Sequence, residues 1–241
     1  MNGWHSVEGD RPRRAVSAAA MIGPYFVVRL DPASPGMPSD EFFQPPVLGG
    51  VIDDVARRVG TAEPRVAVSS LQYELAERLW SVVLGCWTTE ALIPDLDQFR
   101  YGRSQAGRIR LHLQNPTARE RGDATSAETA NVIAEVVVGQ LAVLHRALRS
   151  ITPVVEGLLW GNAATALVLA TQTLLNRGER HEGLAAVSRA LLAMPPLTDR
   201  LDGDITGRIV RRTCCLYYRT AACRACGDCP LTGSAAVKAR A

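Results

Sequence analysis

Apolar residues recur along most of this chain at the three-to-four-residue spacing of a helix packed on one side. Val51, Ile52, Val55 and Val59 share one helical face, and Gly60 is placed to end that short helix. Leu71, Leu75, Leu79, Val82 and Cys86 form the next stripe, with Ser69 or Ser70 predicted as its cap. Cys86 on that face reads as a small core residue. A third helix has the clearest start. Thr125-Ser-Ala-Glu128 is a capping box in which Glu128 reaches back to the cap. Its stripe of Ile133, Val137, Leu141, Leu144 and Leu148 runs to Ser150, and Pro153 breaks it. Glu156–Asn176 is apolar around its whole circumference, which predicts a central helix, with Gly178 as its cap. Leu184, Val187 and Leu191 face one way in a last helix, stopped at Pro195-Pro196.

Alternation with period two occurs clearly once. Ile109, Leu111 and Leu113 alternate with Arg108, Arg110 and His112, which predicts a strand with one wet face. Phe99 and Tyr101, before the Gly102–Gly107 connection, supply its hairpin partner. Tyr25–Leu30 reads as a short strand, and Asp31–Gly50, with five prolines and three glycines, as an irregular surface loop. There is no internal repeat and no βαβ alternation. The expected fold is mainly α with a small antiparallel β element. Residues 1–195 form a helical body with a hairpin near 97–113, and 196–241 a linker and a short cysteine-rich tail.

Composition supports one sizeable core: of 241 residues, 47% are hydrophobic and 21% charged. A disordered chain and a disulfide-stapled mini-protein are excluded. The net charge of +3 argues against a general nucleic-acid binder, but it hides an asymmetry. Residues 200–241 carry eight basic and three acidic side chains, whereas residues 1–199 carry 19 and 21. Arg11-Pro-Arg-Arg14 before uncharged Ala15–Val28 has the outline of a secretory leader. Glu8 and Asp10 ahead of it, and Gly23-Pro24 within it, argue otherwise. The run is also shorter than the roughly 20 residues of a membrane span. No segment is expected to cross a membrane, and the expected location is cytoplasmic, free or peripheral to the inner face of the membrane. The scattered His5, His112, His145 and His181 suggest no metal site.

Five of the six cysteines, Cys214, Cys215, Cys223, Cys226 and Cys229, fall within sixteen residues. In a reducing compartment such clustering means metal or redox chemistry more often than disulfides. No His follows a C-x2-C pair, so covalent haem attachment is excluded, and Cys226-Gly-Asp-Cys229 lacks the following helix that a thiol oxidoreductase uses to acidify its cysteine. Zinc knuckles favour two separated pairs, whereas adjacent Cys214-Cys215 side chains diverge, which suits a cluster that divides its ligands between two irons. Cys223-x2-Cys226-x2-Cys229 also matches three quarters of a four-iron run whose fourth position is Gly233, so a four-iron cluster with a remote Cys214 or Cys215 stays open. Arg208, Arg211, Arg212, Arg219 and Arg224 surround these thiols and would offset a cluster's negative charge.

Arg211-Arg-Thr-Cys-Cys-Leu-Tyr-Tyr-Arg219 followed by Cys226-Gly-Asp-Cys-Pro-Leu231 resembles the C-terminal signature of the FhuF-type ferric-siderophore reductases, C-C-x10-C-x2-C. Leu159-Trp-Gly-Asn162 and Arg65-Val-Ala-Val-Ser69 resemble weaker motifs of that family's helical body. The resemblance implies a [2Fe-2S] cluster on Cys214, Cys215, Cys226 and Cys229. Cys223 is a departure, an extra thiol in the spacer that is either a bystander or an exchangeable ligand. It further implies an intracellular oxidoreductase that reduces a ferric siderophore by one electron and releases Fe(II). Trp160, Asn162, Arg212 and Arg219 are the candidate substrate contacts, and no side-chain acid or base is required. A separate donor such as a ferredoxin or flavoprotein is implied, because a cluster carries one electron and no G-x-G-x-x-G follows a strand. The competing reading is a non-enzymatic zinc- or iron–sulfur-binding module that senses redox state or binds a partner.

Overall fold

The computed structural model describes residues 3–30, 36–104, 106–178 and 183–232. In chain order the elements are β1 (His5–Val7), α1 (Asp10–Ala20), a 3-10 turn (Pro24–Phe26), β2 (Val28–Arg29), β3 (Met37–Pro38), α2 (Ser39–Phe42), α3 (Pro45–Val59) and α4 (Pro64–Glu90). There follow β4 (Ile93–Pro94), β5 (Arg100–Arg103), β6 (Ile109–His112), β7 (Ala118–Glu120), α5 (Ser126–Ile151), α6 (Glu156–Asn176), α7 (Leu184–Leu192), β8 (Leu201–Gly203) and β9 (Ile209–Arg211).

Helix α4 is the axis. It is buried almost all round from Val66 to Trp87 and is packed by α1, α3, α5 and α6. The mainly helical architecture with small antiparallel sheets is therefore as its periodicity indicates. The Thr125–Glu128 capping box forms with both of its bonds, and the stripe from Ile133 to Leu148 is fully buried. Gly60 ends α3 in the left-handed region at φ 66°, where a side chain is disfavoured. The hairpin is β5 against β6, with Tyr101 opposite Leu111. It sits in a four-stranded sheet of order β2-β6-β5-β3, whose β2–β6 pair is parallel. Strands β1, β7 and β4 form a second antiparallel sheet, and β8 and β9 a two-stranded third.

Four expectations change. Residues 31–35 of the expected loop lie outside the described residues, but within the rest Pro45 opens α3. Proline is tolerated in a first helical turn, where its missing N–H has no partner to lose. Helix α4 begins at Pro64 with Glu63 as its cap, so Ser69 and Ser70 lie inside it and cap nothing. His112 is buried although its strand neighbours alternate as expected. Two helices, α5 and α6, are long and apolar enough to cross a membrane by length and composition. In the fold, 78% of the apolar stretch of α6 is buried by protein, and α5 is amphipathic, with Glu135, Arg146 and Arg149 on its outer face. Residues 11–20, the basic and small-residue start, form α1 and bury Ala15, Val16 and Ala19 against α4.

Candidate metal centre

The tail returns to the body through β8 and β9 and lies across α6. Gly161 makes this approach feasible: a Cβ there would stand 2.4 Å from Thr213 Oγ1. Directly after Thr213 come the two adjacent cysteines. Leu216, next in line, is in the left-handed region at φ 66°, a strained conformation for leucine that reverses the chain around both thiols. Its N–H donates to Cys214 Sγ at 3.3 Å. The Cys226–Cys229 loop is a turn closed by Cys229 N–H to Cys226 O at 3.2 Å, and Leu231 N–H donates to Cys229 Sγ at 3.4 Å.

The sulfurs of Cys215 and Cys226 meet at 3.4 Å. The hydrogen bond with Cys226 holds the Cys215 thiol below its ordinary range, helped by the Arg211 charge and a backbone N–H from Tyr217 against the effect of burial. The same contact, with burial and the charge of Cys215, pushes Cys226 up. Cys214 is raised by burial first, and its thiol neighbours are Cys215 and Cys229. Cys223 Sγ lies 3.4 Å from the carbonyl of Thr220, and it is not among the main charge neighbours of Cys214, Cys215 or Cys226. Among the described residues no three His, Cys, Asp or Glu side chains converge as one ion would require. Cys86 is remote from this group in the core, its thiol pushed up to about 12 by burial.

Beneath the cysteines lies a polar network drawn from three distant segments. Arg211, 2% exposed, donates from Nε to Asp228 Oδ2 at 2.6 Å and from Nη1 to Asn162 Oδ1 at 2.5 Å. Burial alone would lower this guanidinium's affinity for its proton, but the charges of Cys215 and Asp228 outweigh burial and raise it. Asn162 Nδ2 donates to the carbonyl and hydroxyl of Ser69, both at 3.1 Å, and Ser69 Oγ donates to the carbonyl of Cys215 at 2.7 Å. Thr165 Oγ1 completes Asp228 at 2.7 Å. The two weak body motifs thus end on one network: Ser69 of the first and Asn162 of the second both support the cysteine loops.

Other singled-out residues lie apart. Trp160 is a core aromatic that packs on His145 with ring centroids 4.2 Å apart and donates Nε1–H to Glu156. Arg212 pairs with Asp202 at 2.7 Å and Arg219 with Glu63 at 2.7 Å. Of Arg208, Arg211, Arg212, Arg219 and Arg224, Arg211 is the one whose charge is among the main influences on the sulfurs. None of Trp160, Asn162, Arg212 and Arg219 lines the cavity beside the cysteines.

That cavity encloses about 830 Å³ and exposes Cys215 and Cys226 in its wall. Tyr25, Tyr73 and Tyr217 supply aromatic surface, and Arg58, Arg108, Arg208, Glu74 and Glu77 supply charge. Burial pushes the Glu77 carboxyl up to about 7, reinforced by Glu74 and opposed by Arg78 and by a hydrogen bond with Tyr25. Six separate segments contribute these walls, so no single stretch of sequence announces them.

Four thiols, backbone N–H groups aimed at three of them and a buried guanidinium form a donor set suited to an anionic iron–sulfur group. Comparison with family models agrees: residues 211–231 match the FhuF 2Fe-2S C-terminal domain. The tail is thus a [2Fe-2S] segment of that type, and all five clustered cysteines fall within the match. The comparison with curated proteins gave no match.

Proposed function

We propose that this protein is an intracellular ferric-siderophore reductase that passes one electron to chelated Fe(III) and releases Fe(II). The observation that carries this reading is the cavity whose wall includes Cys215 and Cys226. A chelate lodged there lies against the Cys215 and Cys226 sulfurs. Siderophore oxygens are hard donors that hold Fe(III) far more tightly than Fe(II), so one added electron weakens the complex.

Cys214, Cys215, Cys226 and Cys229 are the proposed holders of the cluster. The cluster, when bound, supplies one-electron transfer. The rest is positioning by the protein. Arg211 and Asp228 fix the two cysteine loops relative to each other, and Ser69 fixes the Cys215 carbonyl. The three tyrosines offer flat surfaces to a chelate. Glu77 holds a proton in the wall near neutral pH, where an oxygen released from iron requires one. Electrons come from a separate one-electron donor such as a ferredoxin or flavoprotein.

Anaerobically purified protein should be brown, hold near two irons and two sulfides per chain, and bleach with dithionite. Cys215→Ser abolishes that spectrum, and Cys223→Ser leaves it nearly unchanged. In single turnover, ferric siderophores should reoxidise the reduced protein faster than buffer or apo-siderophore. Equal rates in all three would defeat the reductase reading. A colourless protein loaded with one zinc would favour the non-enzymatic interaction module instead.

A further inference from the structure

The cavity beside the cysteines continues outward. At Arg108 it meets a second, shallower cavity of about 760 Å³ whose charged lining residues, among the described residues, are Arg29, Arg78, Arg108 and Arg110, with no Asp or Glu. Arg78 lies 3.8 Å from Glu74. The exposed Arg29, Arg108 and Arg110 have no carboxylate partner among the described residues. In the deeper cavity the carboxylates are already committed. Glu74 pairs with Arg58 and Asp228 with Arg211, and Glu77 is partly neutral near pH 7. Arg208 on the cavity wall is exposed and likewise without a carboxylate partner among the described residues. A path lined with uncompensated positive charge therefore leads to the wall that holds Cys215 and Cys226.

Resting on the reductase reading, we infer that the substrate is an anionic ferric chelate, one whose oxygen-donor scaffold leaves net negative charge, guided by Arg29 and Arg110 and held by Arg108 and Arg208. Two considerations carry this. A negatively charged chelate approaching a thiolate-rich centre is repelled, and unpaired guanidiniums on the approach offset that repulsion. A cationic chelate would meet the same arginines as like charges, which discriminates against it. The guanidinium fork also matches carboxylate and phenolate oxygens in geometry. The concave path into a cavity fits a small molecule better than the flat contact of a protein surface.

The test holds the iron coordination constant and varies only charge. One linear tris-hydroxamate scaffold is used with its pendant amine free, acetylated or succinylated, giving net charges of about +1, 0 and −1 on the ferric complex by ordinary ionisation. At low salt, reoxidation of the reduced holoprotein is expected to be fastest with the succinylated chelate and slowest with the free amine, about tenfold apart, a spread that falls with added salt. Arg108→Glu with Arg208→Glu should reverse the order. Equal rates for all three chelates, each above buffer, would overturn the inference and leave the reductase reading standing. Redox-inert gallium(III) forms, bound to oxidised holoprotein and followed by intrinsic fluorescence, read the same ranking without electron transfer. The ranking retained there with no reduction at all would sink the reductase reading alone. If the arginine changes slow only reduction by an acidic protein donor and leave the chelate ranking intact, the groove is a protein-docking site and the inference fails.

Discussion

Two titratable residues on or beside α4, buried His145 and half-buried Glu77, pull stability in opposite directions with pH. His145 is buried against Trp160 with Gln72 Nε2 at 2.9 Å, and burial followed by the Arg149 charge pushes its imidazole down to about 3. The unfolded chain binds that proton near 6.5, so the folded state loses about 1.4 kcal/mol per pH unit on acidification below that value. Glu77 does the reverse. Its folded affinity for a proton, near 7, exceeds the unfolded value of 4.5, so its contribution is fully present below pH 4.5 and is lost as pH rises through about 7. Between pH 4.5 and 6.5 the two slopes oppose each other. Urea unfolding at pH 5, 6 and 7 should therefore separate them. His145→Gln is expected to gain about 2 kcal/mol at pH 5 relative to its own pH 7 value, beyond any change in the parent. Glu77→Gln should lose a similar amount over the same interval. If both variants track the parent profile, neither residue titrates as its burial implies.

At the scale of elements, the parts that were legible from sequence are those decided locally. The Thr125 capping box, the Gly60 terminus and the all-round apolar α6 each depend on residues within a turn or two, and each formed as read. The start of α3 was hidden because Pro45-Pro46 and Gly49-Gly50 have a loop's composition, while only the first-turn position makes the prolines acceptable. Strand β1 pairs with β7 across more than a hundred residues, and β1, β4 and β7 are each two or three residues long, so no period marks them. The cysteine spacing displayed the metal chemistry openly. The substrate contacts did not show: Trp160 and Asn162 belong to motifs, yet one packs in the core and the other anchors Arg211. Gly161, between them, has the sharper role. Gly161→Ala sets a methyl against Thr213 Oγ1 and is expected to cost about 1–3 kcal/mol by overpacking and to lower the iron content of the purified protein. Thr213→Ala removes the obstructing oxygen, so Gly161→Ala with Thr213→Ala should regain most of both. Thermal unfolding and iron analysis of the three variants check this. A double variant as poor as Gly161→Ala alone would place the constraint in the backbone instead.

The molecule as a whole joins an apolar body to a polar tail. The main core takes in all the larger helices and the two larger sheets, while the buried apolar residues of the β8–β9 region, Ile205 and Ile209, cluster separately with Val168. What fastens the cysteine segment is instead directional: the Arg211 network, Arg219 on Glu63, and Ala221 N–H on the carbonyl of Val59 at 2.9 Å. The half-exposed Arg219 pair gives little net stability because water competes for it, and in the buried Arg211–Asp228 pair the cost of desolvation offsets much of the attraction. Cluster binding to the folded form therefore supplies much of what keeps the tail docked, since a ligand that binds only the ordered state stabilises it by mass action. The body needs no such help. Removing the cluster by chelation, or by Cys215→Ser, should leave helical circular dichroism nearly intact. Trypsin, however, should cut at Arg208, Arg219 or Arg224 at least about tenfold faster than in the holoprotein, the ratio that follows from losing about 1.4 kcal/mol of local protection. Mass spectrometry of the early digest distinguishes the outcomes. Cuts spread through α4 and α6 at the same rate would mean that body and tail unfold together, and unchanged protection of the tail would mean that its polar ties suffice without the cluster.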